Sequence, residues 1–190
     1  MTAMHRRSLR TIKLSFTVLL IFSFCVPLSL QARPVPEEEE VYFSPHGGCT
    51  AAVVDNLNWA EKYVLVQAYS FTSQPIADAL IAAHKRGLEV KVLLDKSQLH
   101  GKGSKLDALA GAGVPVMIDK KHAIAHNKVM VIDGVTVLTG SFNFTNAAED
   151  KNAENLLVLH DKSLAKKYRD NWNRHWEHAE TYQPSSRSGR

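Results

Sequence analysis

The stretch HNKVMVID, residues 126–133, sets an imidazole and an ammonium two positions apart. Its alternation predicts a β-strand. On such a strand His126 and Lys128 share a face with Met130 and Ile132, while Asn127, Val129, Val131 and Asp133 line the other. A neutral imidazole can act as a nucleophile or proton carrier, and a lysine ammonium is a compact three-donor cation suited to a phosphate oxygen. On its own the octet reads more readily as a strand-end histidine beside a lysine whose stem covers apolar neighbours. The residues downstream decide between the two.

Polar groups follow in a definite order: Gly134, then Gly140-Ser141-Phe142-Asn143-Phe144-Thr145, then Asn152-Ala153-Glu154-Asn155. Written with spacings, the first part is HxKxxxxDGx₅GSxNF. Attack on a phosphodiester requires a nucleophile, a proton donor for the departing oxygen, and charge or donors for the phosphate oxygens. His126 suits the nucleophile. Lys128 suits a non-bridging oxygen. Ser141 and Asn143, again two apart and expected on one face of a second hairpin strand, offer a hydroxyl and an amide to the phosphate; turn chemistry is their other reading. Asp133 is seven residues from His126, an odd number, so it is expected to point away and to anchor the hairpin. His122 and His126 form HxxxH, but the glutamate of HExxH is missing and a strand separates the two, so no metal site is assigned. His46, His84, His100, His160, His175 and His178 read as surface or capping residues.

The elements that must position these groups alternate. Residues 41–44 suggest a strand, 50–62 a helix, 62–71 an apolar strand buried on both faces, and Pro75 opens a helix that ends at Gly87. Residues 88–94 form the next strand, 105–113 a short helix, 114–118 a strand, 128–133 and 136–141 a hairpin around Gly134, 153–160 a strand, and 162–178 a closing helix. Leu164, Tyr168, Trp172 and Trp176 make an aromatic stripe on that helix, of the kind that packs in a core or interface. The fold class is α/β: a mixed, largely parallel sheet flanked by helices on both faces. No internal repeat is present.

The chain has 190 residues, room for one ordinary domain. Arg6, Arg7, Arg10 and Lys13 precede the apolar run LSFTVLLIFSFCVPLSL, and LQA at 30–32 fits a signal-peptidase site. Residues 1–32 therefore read as a secretory signal peptide, 33–40 as a linker, 41–182 as the domain and 183–190 as a polar, disordered tail, with a retained membrane anchor as the alternative for the leader. A secreted or periplasmic location is expected. The 23 basic residues include the four in the leader, which holds no acid, so the remainder carries nineteen basic and nineteen acidic groups. The overall net charge of +4 thus belongs to the leader. Local attraction for a polyanion falls to residues 96–128, where Lys96, Lys102, Lys105, Lys120, Lys121 and Lys128 face only Asp107 and Asp119. Cys25 leaves with the leader; Cys49 is then alone, which excludes an intrachain disulfide and a cysteine zinc site.

The motif HxKxxxxD followed by GSxN resembles the phospholipase D superfamily. FSP near the start, the Asn-Ala-Glu-Asn cluster and the short length make the chain similar to the small, single-motif, Nuc-type bacterial endonucleases over roughly residues 41–178. The resemblance implies a phospholipase D-like sandwich and a metal-independent phosphodiesterase without cofactor, working through a phosphohistidine on His126. It also implies that Glu154 orients that histidine, and it counts Asp133 among the signature residues. The expected substrate is DNA, with RNA as a further candidate. A phospholipase or cardiolipin hydrolase is the alternative of the same chemistry, favoured if the leader is retained at a membrane, and an inactive nucleic-acid-binding module is the alternative from another class. Larger relatives carry two motifs per chain and this chain carries one, so a homodimer sharing one active site is expected.

Overall fold

A computed structural model describes residues 39–184. The expected signal peptide, most of the linker and the end of the tail lie outside the described residues. The elements are β1 (Glu39–Ser44), α1 (Cys49–Trp59), β2 (Tyr63–Ala68), α2 (Gln74–Lys85), β3 (Glu89–Asp95), a 3-10 turn (Lys96–Leu99), α3 (Leu106–Gly111), β4 (Val116–Asp119), β5 (Lys128–Ile132), β6 (Thr136–Gly140), α4 (Asn146–Asp150), β7 (Glu154–His160), α5 (Lys162–His178) and β8 (Glu180–Thr181). β1 starts at Glu39, so the last two residues of the expected linker belong to the sheet.

The strands form one mixed sheet in the order β1-β7-β6-β5-β2-β3-β4-β8. The expectation of a largely parallel sheet is corrected here: only β2 with β3 and β3 with β4 run parallel, and the other pairings are antiparallel. The physical reason is connection type. Helices α2 and α3 return the chain to the same end of the sheet. By contrast, a tight hairpin turn joins β5 to β6, and a connection over 141–153, carrying the short α4, leads from the end of β6 directly into β7 at that same end; each reverses the chain.

Side-chain parity assigns the two faces. Val64, Val66, Met130 and Ile132 pack with α1, α2 and α3 in the larger core, whereas Leu65, Val129, Val131 and Val137 meet Ala165 and Trp172 of α5. β2 is therefore apolar along nearly its whole length because helices cover both of its faces. The α5 stripe is core: Trp172 is buried, and Leu164, Tyr168 and Trp176 pack around it. The fully buried apolar side chains are each worth on the order of 1.5–3 kcal/mol.

Register then gathers one end of several strands. Ala68 of β2 sits opposite both Lys128 and Leu94, Asp95 opposite Asp119, Gly140 opposite Leu156, and Ser44 opposite Glu154. The C-terminal ends of the parallel strands and the N-terminal ends of β5 and β7 thus share one edge, the side on which open α/β sheets place ligands.

Candidate active site

At that edge a cleft of about 640 Å³ is lined by His126, Lys128, Ser141, Asn143, Glu154 and Asn155, among others. His126 lies in the segment leading into β5 and is exposed; its ring packs against Tyr69 with centroids 4.6 Å apart. Lys128 is the first residue of β5 and only 7% exposed. Its Nζ donates to the main-chain oxygen of His126 at 2.6 Å and stands 5.1 Å from the centre of the Tyr69 ring. Burial pushes the Lys128 ammonium below the ordinary lysine range, against the pull of the Glu154 carboxylate. The cleft therefore holds an accessible imidazole beside a cation fixed from below.

Ser141 and Asn143 do not lie on the second hairpin strand as expected. β6 ends at Gly140, and both residues follow it. Gly140 has φ 149°, and a Cβ there would stand 2.3 Å from the main-chain oxygen of Asn155. That close approach lets the N–H groups of Ser141 and Phe142 both donate to the Asn155 oxygen at 3.1 Å. Phe142 and Phe144 insert into the core, and the alternation leaves Ser141 and Asn143 on the cleft wall. Ser141 Oγ accepts from Asn155 N at 3.1 Å, while the buried Asn143 side-chain oxygen has no partner among the described residues. Either amide orientation of Asn143 is open to a group entering the cleft.

Glu154, at the start of β7, lines the same cleft, but its carboxylate accepts from Asn152 Nδ2 at 3.0 Å. The expected contact with the His126 ring is not formed among the described residues. Ser44 fixes this corner: its Oγ donates to the Asn152 oxygen at 3.0 Å and accepts from Glu154 N at 3.2 Å.

Asp133 stands apart from all of these. It lies past the far end of β5, about 17 Å from Lys128 at the rise of a strand, with φ 54°. Its carboxylate accepts from the backbone N–H groups of Glu61, Lys62 and Tyr63 at 2.8, 2.8 and 2.9 Å. Among the expected site residues, His126, Lys128, Ser141, Asn143 and Glu154 are brought together and Asp133 is not. Parity left open how far away Asp133 would be, because a strand pattern does not say where the strand ends.

Half of the expected basic rim is engaged elsewhere. Lys96 donates to the His122 oxygen, Lys105 to Gln74, and Lys120 pairs with Glu180 at 2.6 Å. Sequence reasoning also missed Tyr69, whose place under His126 follows from β2 lying beside β5. His122 has no part in an HxxxH pair with His126. Its Nδ1 lies 2.8 Å from Asp119 Oδ2, as do His175 Nδ1 at 3.1 Å and His178 Nε2 at 3.4 Å. Burial raises the Asp119 carboxyl, but hydrogen bonds from His175, His122 and His178 outweigh it and hold the group well below the usual carboxylate range. The sequence signals for this cluster were Asp119-x-x-His122 and His175-x-x-His178, neither of which points to the other.

Comparison with known proteins agrees with this geometry. The domain family described as "Cardiolipin synthase, PLD-like domain" matches residues 53–176. A protein of Rickettsia felis named phospholipase D is 47% identical over 130 residues, 68% of this chain and 65% of its own length. The mitochondrial cardiolipin hydrolase of Xenopus tropicalis is 34% identical over 127 residues, 67% of this chain and 59% of that protein. The chain thus spans less than two thirds of the length of these relatives. The crystal structure of Nuc, a phospholipase D family member from Salmonella typhimurium, superposes with a TM-score of 0.73 at 38% identity, over 77% of this chain and 98% of that one. With its HxK and GSxN segments meeting at one sheet edge, and with the matched domain covering most of its length, the chain belongs to the phospholipase D-like family.

Proposed function

We propose that this chain is a metal-independent phosphodiesterase that hydrolyses DNA, with RNA as a second substrate, as a nonspecific endonuclease. The observation that carries this reading is the single cleft in which exposed His126 stands beside buried Lys128, with Ser141 and Asn143 on the facing wall. An imidazole nitrogen of His126 attacks phosphorus, and the P–O bond to one nucleoside oxygen breaks as the P–N bond forms. Lys128 and Asn143 take the non-bridging oxygens. Water then attacks the phosphohistidine and restores the imidazole.

The leaving oxygen needs a proton from the side of phosphorus opposite His126, and one imidazole cannot occupy both sides. We assign the second to a copy of the chain in a two-fold dimer, in which the partner subunit's His126 protonates the leaving oxygen and then, neutral, accepts a proton from the attacking water. Surface beside the cleft supports this: Phe43, 63% exposed, stands in register with Asn155 on edge strand β1.

The lipid reading rests on the relatives named phospholipase D and cardiolipin hydrolase. The nucleic-acid reading is preferred because Nuc is covered almost end to end whereas those relatives are not. The test is incubation of the purified chain with plasmid DNA, RNA and phosphatidylcholine vesicles, with and without EDTA. Nicking that survives EDTA and weakens with salt is expected; lipid cleavage without nicking overturns the assignment. Mixing wild type with His126→Ala tests the shared site. Heterodimers should be nearly inactive, and activity proportional to intact chains would show that each chain works alone.

A further inference from the structure

Three imidazoles converge on one buried carboxylate at the end of α5, away from the cleft. We propose that Asp119, His122, His175 and His178 bind one divalent transition-metal ion, zinc in the first instance, as a structural site. The ligand atoms all lie within 4.8 Å of one another, and the contacts to Asp119 Oδ2 run from 2.8 to 3.4 Å. A tetrahedral zinc with bonds of about 2.0–2.1 Å sets its ligand atoms about 3.3 Å apart, so the ion draws the widest pair, now within 4.8 Å, together by up to about 1.5 Å, a movement that rotation of the imidazoles supplies.

Hydrogen bonding alone accounts poorly for the cluster. Asp119 Oδ1 already accepts the backbone N–H groups of Lys121 and His122, at 3.0 and 3.2 Å. These bonds orient the carboxylate and leave Oδ2 as the atom aimed at the imidazoles. Three ring nitrogens then crowd one oxygen that has two lone pairs. A cation at the centre replaces that crowding with four ligand bonds. The pair of bonds to Oδ1 is the kind of support that metal-ligating carboxylates carry.

The surroundings favour a cation. Asp119 is fully buried, so its charge needs compensation inside the protein. His175 and His178 occupy the last turn of α5, where the helix dipole is negative. The short strand β8 pairs with β4, Ile118 opposite Glu180, and brings that turn against Asp119. The His122 side chain is 42% exposed, which gives an ion a way in.

The site is separate from the catalytic cleft. Asp119 on β4 and Lys128 on β5 lie at the same edge with β3 and β2 between them, roughly 14 Å apart at the spacing of neighbouring strands. The loop between the two strands carries His122 near its start and His126 near its end, so an ion here would tie that loop to α5. Its role is to hold the scaffold, and no phosphate meets it.

The test uses the full chain, stripped with chelator and dialysed. Titration with zinc, followed by competition with a chromophoric chelator, should give one ion per chain. Zinc at a hundredfold excess over its dissociation constant should raise Tm by about 5–10 °C. Cobalt should produce the visible absorption of a tetrahedral centre. His175→Ala and His122→Gln should each lose stoichiometric uptake and the Tm rise, with folding followed by circular dichroism; His122→Gln, at a half-exposed position, guards against loss of fold. His126→Asn should keep the full stoichiometry. Failure of the wild type to take up zinc, undiminished uptake by both cluster variants, or loss of uptake in His126→Asn overturns the proposal. None of these readouts depends on nuclease activity, so they stand apart from the test of function.

Discussion

Asp133→Asn separates a structural role from a chemical one within a single signature residue. In the native chain Oδ1 takes the N–H groups of Lys62 and Tyr63, and Oδ2 takes that of Glu61. Asparagine keeps one acceptor oxygen for the first pair but turns its own N–H₂ toward the Glu61 donor. One charge-assisted bond is lost and two become neutral. A hydrogen bond to a charged group contributes about 1.5–3 kcal/mol against about 0.5–1.5 for a neutral one, and Glu61 is exposed enough for water to recover part of the loss. With water recovering much of the Glu61 bond and the two remaining bonds each weakened by about 1 kcal/mol, the expected destabilisation is about 2–4 kcal/mol, or a fall in Tm of about 4–16 °C for a chain of this size. Thermal and urea unfolding by circular dichroism measure it, and nicking assayed well below the lowered Tm should retain most of the wild-type rate. Undiminished stability together with lost activity would refute the reasoning and place Asp133 at the phosphate.

Three further outcomes are expected. His126→Asn should cut turnover at least about a thousandfold while leaving Tm within about 1 °C, since its exposed side chain carries little packing; substantial residual nicking removes His126 from the nucleophile's role. Gly140→Ala puts a methyl group 2.3 Å from the Asn155 oxygen. It should cost about 2 kcal/mol or more and lower activity by moving Ser141 and Asn143; an unshifted unfolding curve would show that the turn yields freely. Burial, helped by Glu149, pushes the Cys49 thiol up to about 11 from 9.0. Peptide mapping after iodoacetamide at pH 8 should find Cys49 alkylated about a hundredfold more slowly in the folded chain than in the unfolded one. Because the folded pKa is the higher, the stability linked to this thiol is complete below pH 9 and is lost as pH rises through about 11. Equal alkylation rates would contradict the burial.

Local pattern carried much of the fold and the core of the site. Apolar periodicity and Gly or Pro punctuation placed α1, α2, α3, α5 and strands β1 to β7 within a few residues, and the closing helix over 162–178 coincides with α5; the short helix α4, the 3-10 turn and β8, too brief to carry a periodicity, were not expected. Parity correctly put Lys128 with Met130 and Ile132 on one face and Val129 with Val131 on the other. The motif spacing named His126, Lys128, Ser141 and Asn143, the family resemblance added Glu154, and these five side chains meet in one cleft. These features were legible because each depends on neighbours a few residues away, where the 3.6 and 2.0 periods tie sequence directly to geometry.

What the tertiary structure alone decided are the partners that sheet order brings from far along the chain. The donors to Asp133 lie about seventy residues upstream, because β2 runs antiparallel beside β5. Tyr69 reaches His126 through the same pairing. The balance of strand directions depended on which connections cross over and which turn back, and no strand's own pattern records that. Asp119 and His175 are fifty-six residues apart and meet only because β8 folds the end of α5 against β4. Each histidine of that cluster looks unremarkable beside its sequence neighbours, since a ligand set is a property of convergence in space, and a linear pattern fixes only the direction in which each side chain leaves its own backbone.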